Sequence, residues 1–281
     1  MTWRKAAARM VWACIAAGGL AAALGGCASS PSNGNWRQPG AQAEGKGDIV
    51  TQSDENEVRK RARIRLELAS TYFTQAQYTT ALDETKQALA IDPTLVSAVE
   101  LRALIYDAMG DQARAEDAFK QALSMEPNNA GVLHNYGWYL CRHKDYARAD
   151  PLFVRAANQP MSLTATKSLL VRGVCQIQAG QWAEAEKSLA KSYELDPANP
   201  ATAYNLSAVL LHKGELERAR FYIRRVNASP QQATAESLWL AARIEHKMDN
   251  PAGRDEFGAQ LRNRFAGSRE ANLFELGRFD E

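Results

Sequence analysis

Three patterns of apolar and polar positions divide this chain of 281 residues. Residues 11–24 form an apolar run of 14 that follows the cations Arg4, Lys5 and Arg9. Residues 28–54 are rich in Ser, Gly, Asn, Gln, Pro and Asp and have almost no apolar periodicity. From Glu57 onward, apolar residues recur at helical spacing, and prolines interrupt the pattern at regular intervals. An export signal carries about 7–15 apolar residues and a membrane-spanning helix about 20, so the first run predicts an export signal rather than an anchor. The polar stretch buries too little surface to offset the entropy of ordering it, which predicts a flexible tether. The remainder is expected to be all-α.

The helical region keeps a constant period. Pro93 and Pro127 are 34 residues apart, and Pro160 and Pro230 each follow their predecessors by 33. The gap from Pro160 to Pro197 is 37. Asp92-Pro93, Glu126-Pro127 and Asp196-Pro197 each end a helical stretch. Proline does this because it lacks an amide donor and restricts the residue before it. With a first repeat begun at Ala62, small residues fall into two classes. Ala103, Gly137 and Gly173 sit where the two helices of a repeat would cross. Ala81, Ala115, Ala149, Ala185 and Ala219 form the matching small surface of the second helix, and Phe119 and Phe153 fill the space between repeats. A period near 34 with paired helices resembles the tetratricopeptide repeat. The fold class is therefore expected to be an all-α superhelix of about six helix-turn-helix repeats. The sixth is degenerate: Leu238, Leu240, Ala241 and Ile244 predict one helix, and Ala252, Phe257, Leu261 and Phe265 its partner. A terminal repeat must present a polar outer face. The domain reading is a signal over 1–26, a lipidated N-terminus and tether over 27–56, repeats over 57–267, and a C-terminal tail over 268–281 that is expected to be weakly ordered from Ala271 to Glu281.

Charge removes several function classes. The 34 basic and 32 acidic residues nearly cancel, and loss of the leader cations leaves 31 against 32. The densest basic stretch, 59–65, is interrupted by apolar positions and reads as the outer face of a first helix. Nucleic acid is not an expected partner. The four histidines make no one-face metal pair, since His134 and His143 are nine residues apart. No phosphate loop or nucleophile elbow occurs, and acidic residues are spread over helix faces. The expectation is a binding protein with no enzymatic activity, cofactor or metal.

Stacked two-helix repeats line a concave groove with their first helices. Groove positions two, five, nine and twelve include Leu66, Ser70 and Phe73 in repeat 1, and Leu104 and Asp107 in repeat 2. His134 and Trp138 follow in repeat 3, Leu170 and Ile177 in repeat 4, and Tyr204, Ala208 and Leu211 in repeat 5. A largely apolar lining with isolated polar groups suits an amphipathic or extended peptide. The same positions can instead touch only neighbouring repeats. Leu66 and Phe73 are the leading candidates, because repeat 1 has no repeat before it. Asn135 and Asn205 match the Asn common before the small crossing residue and read as structural.

Four cysteines remain to be placed. The segment Leu24-Gly25-Gly26-Cys27 resembles the lipobox of bacterial lipoproteins, which implies cleavage before Cys27 and lipidation of that cysteine. The alternative is an ordinary secretory signal cut elsewhere. By the same resemblance Ala28 points to the outer membrane. Cys141 and Cys175 occupy positions twelve and ten of equivalent helices in consecutive repeats, so their sulfurs could meet. A bridge would close a loop worth roughly 4 kcal/mol in the chain-entropy model; two buried free thiols are the alternative.

The whole combination resembles the type IV pilus biogenesis and stability lipoproteins of the PilF/PilW family, which act as secretin pilotins. His134-Asn135-Tyr136-Gly137-Trp138-Tyr139-Leu140-Cys141 looks like that family's cysteine-containing run, and Arg172-Gly173-Val174-Cys175 like its second cysteine segment. The resemblance implies an outer-membrane lipoprotein, on the periplasmic face, that promotes localisation and multimerisation of the pilus secretin. Other pilus proteins are the next candidate partners. A lipoprotein scaffold for cell-wall synthases or another envelope complex is the runner-up, and a lipid carrier a third reading. Co-purified secretin, peptidoglycan enzymes or lipid would tell them apart.

Overall fold

A computed structural model describes residues 56–159 and 164–280. Cys27, the lipobox, the tether before Asn56 and the Pro160 boundary lie outside the described residues. Six helical hairpins follow one another: α1 (Glu57–Thr74) with α2 (Tyr78–Ile91), and α3 (Val96–Ala108) with α4 (Gln112–Met125). Next come α5 (Ala130–Arg142) with α6 (Tyr146–Ala157), and α7 (Thr164–Gln178) with α8 (Trp182–Leu195). The last two pairs are α9 (Pro200–His212) with α10 (Leu216–Asn227), and α11 (Ala235–Lys247) with α12 (Pro251–Phe265). A short α13 (Arg269–Glu275) closes the series. No strand occurs among the described residues.

Local chemistry sets the helix ends. Side-chain oxygens of Asn56, Asp111, Asn129, Asp145, Asn199 and Asn250 accept from backbone amides that a helix start leaves unpaired. Thr234 and Ser237 form a reciprocal capping box at α11. Every hairpin reverses on a single left-handed residue: Ala76, Gly110, Lys144, Gly180, Gly214 and Asp249 all have φ between 53° and 79°. The next residue's amide donates back into the preceding helix, as from Asp111 to the Tyr106 carbonyl (2.9 Å) and from Asn250 to the Glu245 carbonyl (2.9 Å). Half of these positions are not glycine, which hides the regularity from a reader who looks for Gly alone.

The small residues lie at the helix crossings. A Cβ on Gly173 would come within 2.5 Å of Leu189, and one on Gly137 within 3.0 Å of Phe153. Ala81, Ala115, Ala185 and Ala219 on the second helices are fully buried. First helices also touch one another: α1 meets α3, α5 meets α7, α7 meets α9 and α9 meets α11. No second helix meets the next second helix as closely. First helices are therefore crowded along the inner curve, as a tetratricopeptide-repeat superhelix requires.

The expected weakly ordered tail is corrected by the structure. Ser268 caps α13, and Ala271, Leu273 and Phe279 are buried. The Phe274 ring occupies the space over Gly258, where a Cβ would come within 2.0 Å of it. The segment is ordered because its few apolar residues seal the open ends of α11 and α12. Seven residues are too few to carry a legible helical period.

Candidate polypeptide-binding groove

The sequence-derived groove positions divide into two groups. Leu66 and Phe73 are half-buried against the Ala69, Ala81 and Leu82 cluster, with the Phe73 ring 5.8 Å from Tyr78, while Ser70 is exposed. Leu104 and Trp138 are half-buried beside the cluster around Phe119 and Phe153. Leu170 and Ile177 pack partly on the core that begins at Ala185. These seven keep a surface that a ligand could meet.

Asp107 and His134 serve junctions between repeats. The Asp107 side chain is 8% exposed, accepts from Arg142, and lies 3.0 Å from His143 Nε2. His134 is 4% exposed, and its Nδ1 lies 2.9 Å from Ser168 Oγ. Burial, aided by the nearby Lys167 cation, pushes its imidazole down to about 4. Glu100 accepts from Asn135 Nδ2 at 2.6 Å, and burial raises its carboxyl despite that bond. Asn205 donates to the Ala201 carbonyl at 2.8 Å.

The junction of repeats 3 and 4 is built differently from its neighbours. The buried face of α7 presents Ser168, Gly173, Cys175 and Gln176, with no large apolar side chain. Cys141 and Cys175 are bonded (S–S 2.01 Å, Cα–Cα 5.9 Å). Arg172 grips Asp150 with two hydrogen bonds of 2.7 and 2.9 Å. Gln176 donates to Asp150 (2.9 Å) and accepts from Ser188 (2.7 Å). Among the described residues no buried side-chain polar atom lacks a partner, so the buried groups of this polar seam are all hydrogen-bonded.

A further concavity lies along the inner face. A cleft of about 520 Å³ is lined by Ile177 and Trp182, by Tyr204, Asn205, Ala208, Leu211 and His212 of α9, and by Leu240, Arg243 and Lys247 of α11. The structure thus brings Ile177 together with Tyr204, Ala208 and Leu211, as the repeat register implied. Trp182 stacks on His212 with ring centroids 3.7 Å apart. Burial raises the Tyr204 phenol; Glu236 and Glu270 reinforce the shift and Arg243 opposes it. The contribution of α11 was not legible in the sequence. Its turn residue is Asp249 where repeat 5 has Gly214. Aligning those two left-handed positions puts Arg243 at groove position nine, in register with Ala208.

Comparison with known proteins follows from this geometry. Three models described as tetratricopeptide repeat match residues 96–129, 118–150 and 176–244. The chain is similar to the type IV pilus assembly protein PilF of Pseudomonas aeruginosa strain PAO1, with 26% identity over 83% of this chain and 94% of that protein. A solved structure of PilW, described as a widely conserved type IV pilus biogenesis factor, superposes with a TM-score of 0.68 at 30% identity. It covers 78% of this chain and 99% of PilW. The solved Pseudomonas aeruginosa PilF gives a TM-score of 0.67 at 25% identity, over 78% of this chain and 99% of that one.

Proposed function

Because the chain belongs to the tetratricopeptide-repeat family of type IV pilus biogenesis factors that includes PilW, we propose that it is an outer-membrane lipoprotein scaffold that promotes localisation and multimerisation of the pilus secretin. The observation that carries this reading is the inner face itself. It is a row of first helices with apolar side chains turned inward, from the half-buried Leu66 and Phe73 in repeat 1 to the buried Leu240 that lines the cleft in repeat 6. Such a surface offers apolar area and isolated polar groups to a partner polypeptide. It binds and does not transform.

Lipidated Cys27 anchors the chain to the periplasmic face of the outer membrane, and two or more acyl chains hold where one is marginal. Tethered there, the array raises the local concentration of secretin protomers beneath the bilayer. Deleting the gene should leave secretin as monomers on a denaturing gel of unheated membranes. Normal heat-resistant multimers in that strain would refute the role. Cys27→Ser should shift the protein out of the outer-membrane fraction, at partial cost to multimer yield.

A further inference from the structure

We infer that the cleft between α9 and α11 is a discrete subsite for an extended segment of a partner polypeptide that carries apolar side chains immediately followed by carboxylates. This inference rests on the inner face being a polypeptide-binding surface, but not on the polypeptide being a secretin.

The floor and the rim have different chemistry. Ile177, Tyr204, Ala208, Leu211 and Leu240 give a floor of aliphatic and aromatic surface. Apolar floors that a partner's side chains can cover hold the anchors that dominate an interface. The rim on α11 is cationic. Arg243 uses its Nε on the Phe279 carbonyl (3.0 Å), a bond that fixes the guanidinium at the edge of the cleft. Lys247 is 43% exposed, and its nearest carboxylate is the outlying Asp280 at 3.7 Å. That carboxylate is itself 91% exposed, so the pair is loose and replaceable.

The opposite end of the same face is acidic. Glu236 and Glu270 lie close enough to Tyr204 to disfavour its phenolate. Glu236 lies in the first turn of α11 and Lys247 ends the helix, a separation on the order of 16 Å at the helical rise. The cleft is therefore polar in direction as well as greasy at its centre. A segment with carboxylates at one end can lie in one orientation, its acids against Arg243 and Lys247. An acidic segment laid the other way meets Glu236 and Glu270, and like-charge juxtaposition gives selectivity. Residues 279 and 280 make a similar pairing of ring and carboxylate on α11, beside the cleft rather than in it. Phe279 stacks on His246 (4.3 Å) and Trp239 (5.3 Å) of α11, with Asp280 next to it in sequence facing Lys247.

The test uses the full chain in detergent micelles and three fluorescein-labelled peptides of equal length. Their central residues are Leu-Phe-Asp-Glu, Leu-Phe-Lys-Lys and Ser-Ser-Asp-Glu, and binding is read by fluorescence anisotropy. The first should bind at least about tenfold more tightly than either other. Lys247→Glu should erase the preference for Asp-Glu over Lys-Lys, and Arg243→Glu with Lys247→Glu should reverse it. Lys86→Glu on α2, far along the chain, should change nothing. Equal affinities for the three peptides overturn the inference, as does no binding of any peptide at about 1 mM. An unchanged preference in the Lys247→Glu protein overturns it too; that variant removes no bond to the fold beyond the loose Asp280 pair. Peptide selectivity that survives while secretin multimers form normally without the protein would sink the secretin reading alone. Lost selectivity beside a true secretin phenotype would sink this inference alone.

Discussion

The first three repeats and the last three are built from the same hairpin but held together by different chemistry. In repeats 1–3 the buried apolar side chains fall into three separate clusters, around Ala69 and Ile105, around Val99 and Val132, and around Phe119 and Phe153. From Ala185 to Phe279 they form one continuous cluster. The earlier half adds polar stitches: Arg59 to Asp92 (2.8 Å) within repeat 1, and Glu100 to Asn135, Asp107 to Arg142 and His143, and Arg148 to Glu116 (3.0 Å) between repeats 2 and 3. The later half has its most buried ionic knot at Glu245, which is 1% exposed and bound by Arg220, Arg224 and Asn250, and Glu186 joins repeats 4 and 5 through Lys213 and Arg218. The two ends differ in the same sense. Ile64 and Leu68 on α1 are 55% and 37% exposed, whereas α13 and Phe279 seal α11 and α12. In a solenoid whose stability is a sum over repeats and their interfaces, the later half is the stiffer one.

The largest test of that contrast is the bond at the boundary. Cys141→Ser with Cys175→Ser removes the link closing 34 residues of sequence separation. It should cost about 4 kcal/mol in the chain-entropy model. Calorimetry should then resolve a first transition from repeats 1–3 and a second from repeats 4–6. One unaltered transition in the variant, or no effect of reductant on the native protein, would mean that the halves are not coupled through this bond.

Next in size is the contrast between the ends. Phe279→Ala should destabilise by about 2–3 kcal/mol, because a nearly buried ring leaves a void that its neighbours cannot fill. Ile64→Ala should stay within about 0.5 kcal/mol, the range of exposed sites. Urea melts of the two variants settle the matter, and equal shifts would erase the asymmetry.

Acid should act on both halves through different groups. Burial lowers His134 to about 4 from an ordinary 6.5, so the unfolded chain takes up its proton first. Stability present above pH 6.5 is therefore lost as pH falls toward 4. His134→Gln should flatten the melting temperature over that window. Burial works against ionisation of Glu245, but hydrogen bonds from Arg224, Asn250 and Arg220 outweigh it and hold its carboxyl below the ordinary 4.5. Its contribution is present above 4.5 and fades only below, so the last repeats should retain amide protection at pH 5, where the first three have begun to lose it. Hydrogen exchange at pH 7 and pH 5 would show the order.

The smallest effect lies in the turns. Lys144→Gly should stabilise by about 1 kcal/mol, because a left-handed lysine carries a steric cost that glycine avoids. Gly214→Ala should cost about as much, since its added Cβ meets nothing within 4 Å and only the backbone term remains. A thermal shift of the same sign in both variants would contradict this.

The repeat fold was legible because it is written in residue size. Ala81, Gly137 and Gly173 must be small wherever two helices cross, and the prolines that punctuate the helices stand in the chain itself. The groove was legible only in part. Position alone picks out Ile177, Tyr204 and Leu211, but it cannot tell an open site from a spent one. Asp107 and His134 hold groove positions, yet their partners Arg142 and Ser168 lie 35 and 34 residues on. Arg243 and Lys247 were missed because the last repeat reads as a degenerate cap, so its first helix was assigned no groove positions. α13 was missed because its order comes from covering Gly258 rather than from any periodicity of its own.

The polar seam on α7 has a consequence for how the molecule assembles. Near-identical hairpins risk joining in the wrong sequence, since one greasy flank accepts another almost indifferently. Arg172 and Gln176 accept only the hairpin that brings Asp150, while Ser188 of their own hairpin holds the Gln176 side chain in place. A skipped or exchanged neighbour would strand them, at about 1–3 kcal/mol for each unsatisfied group. The seam thus proofreads the order of the stack at its midpoint.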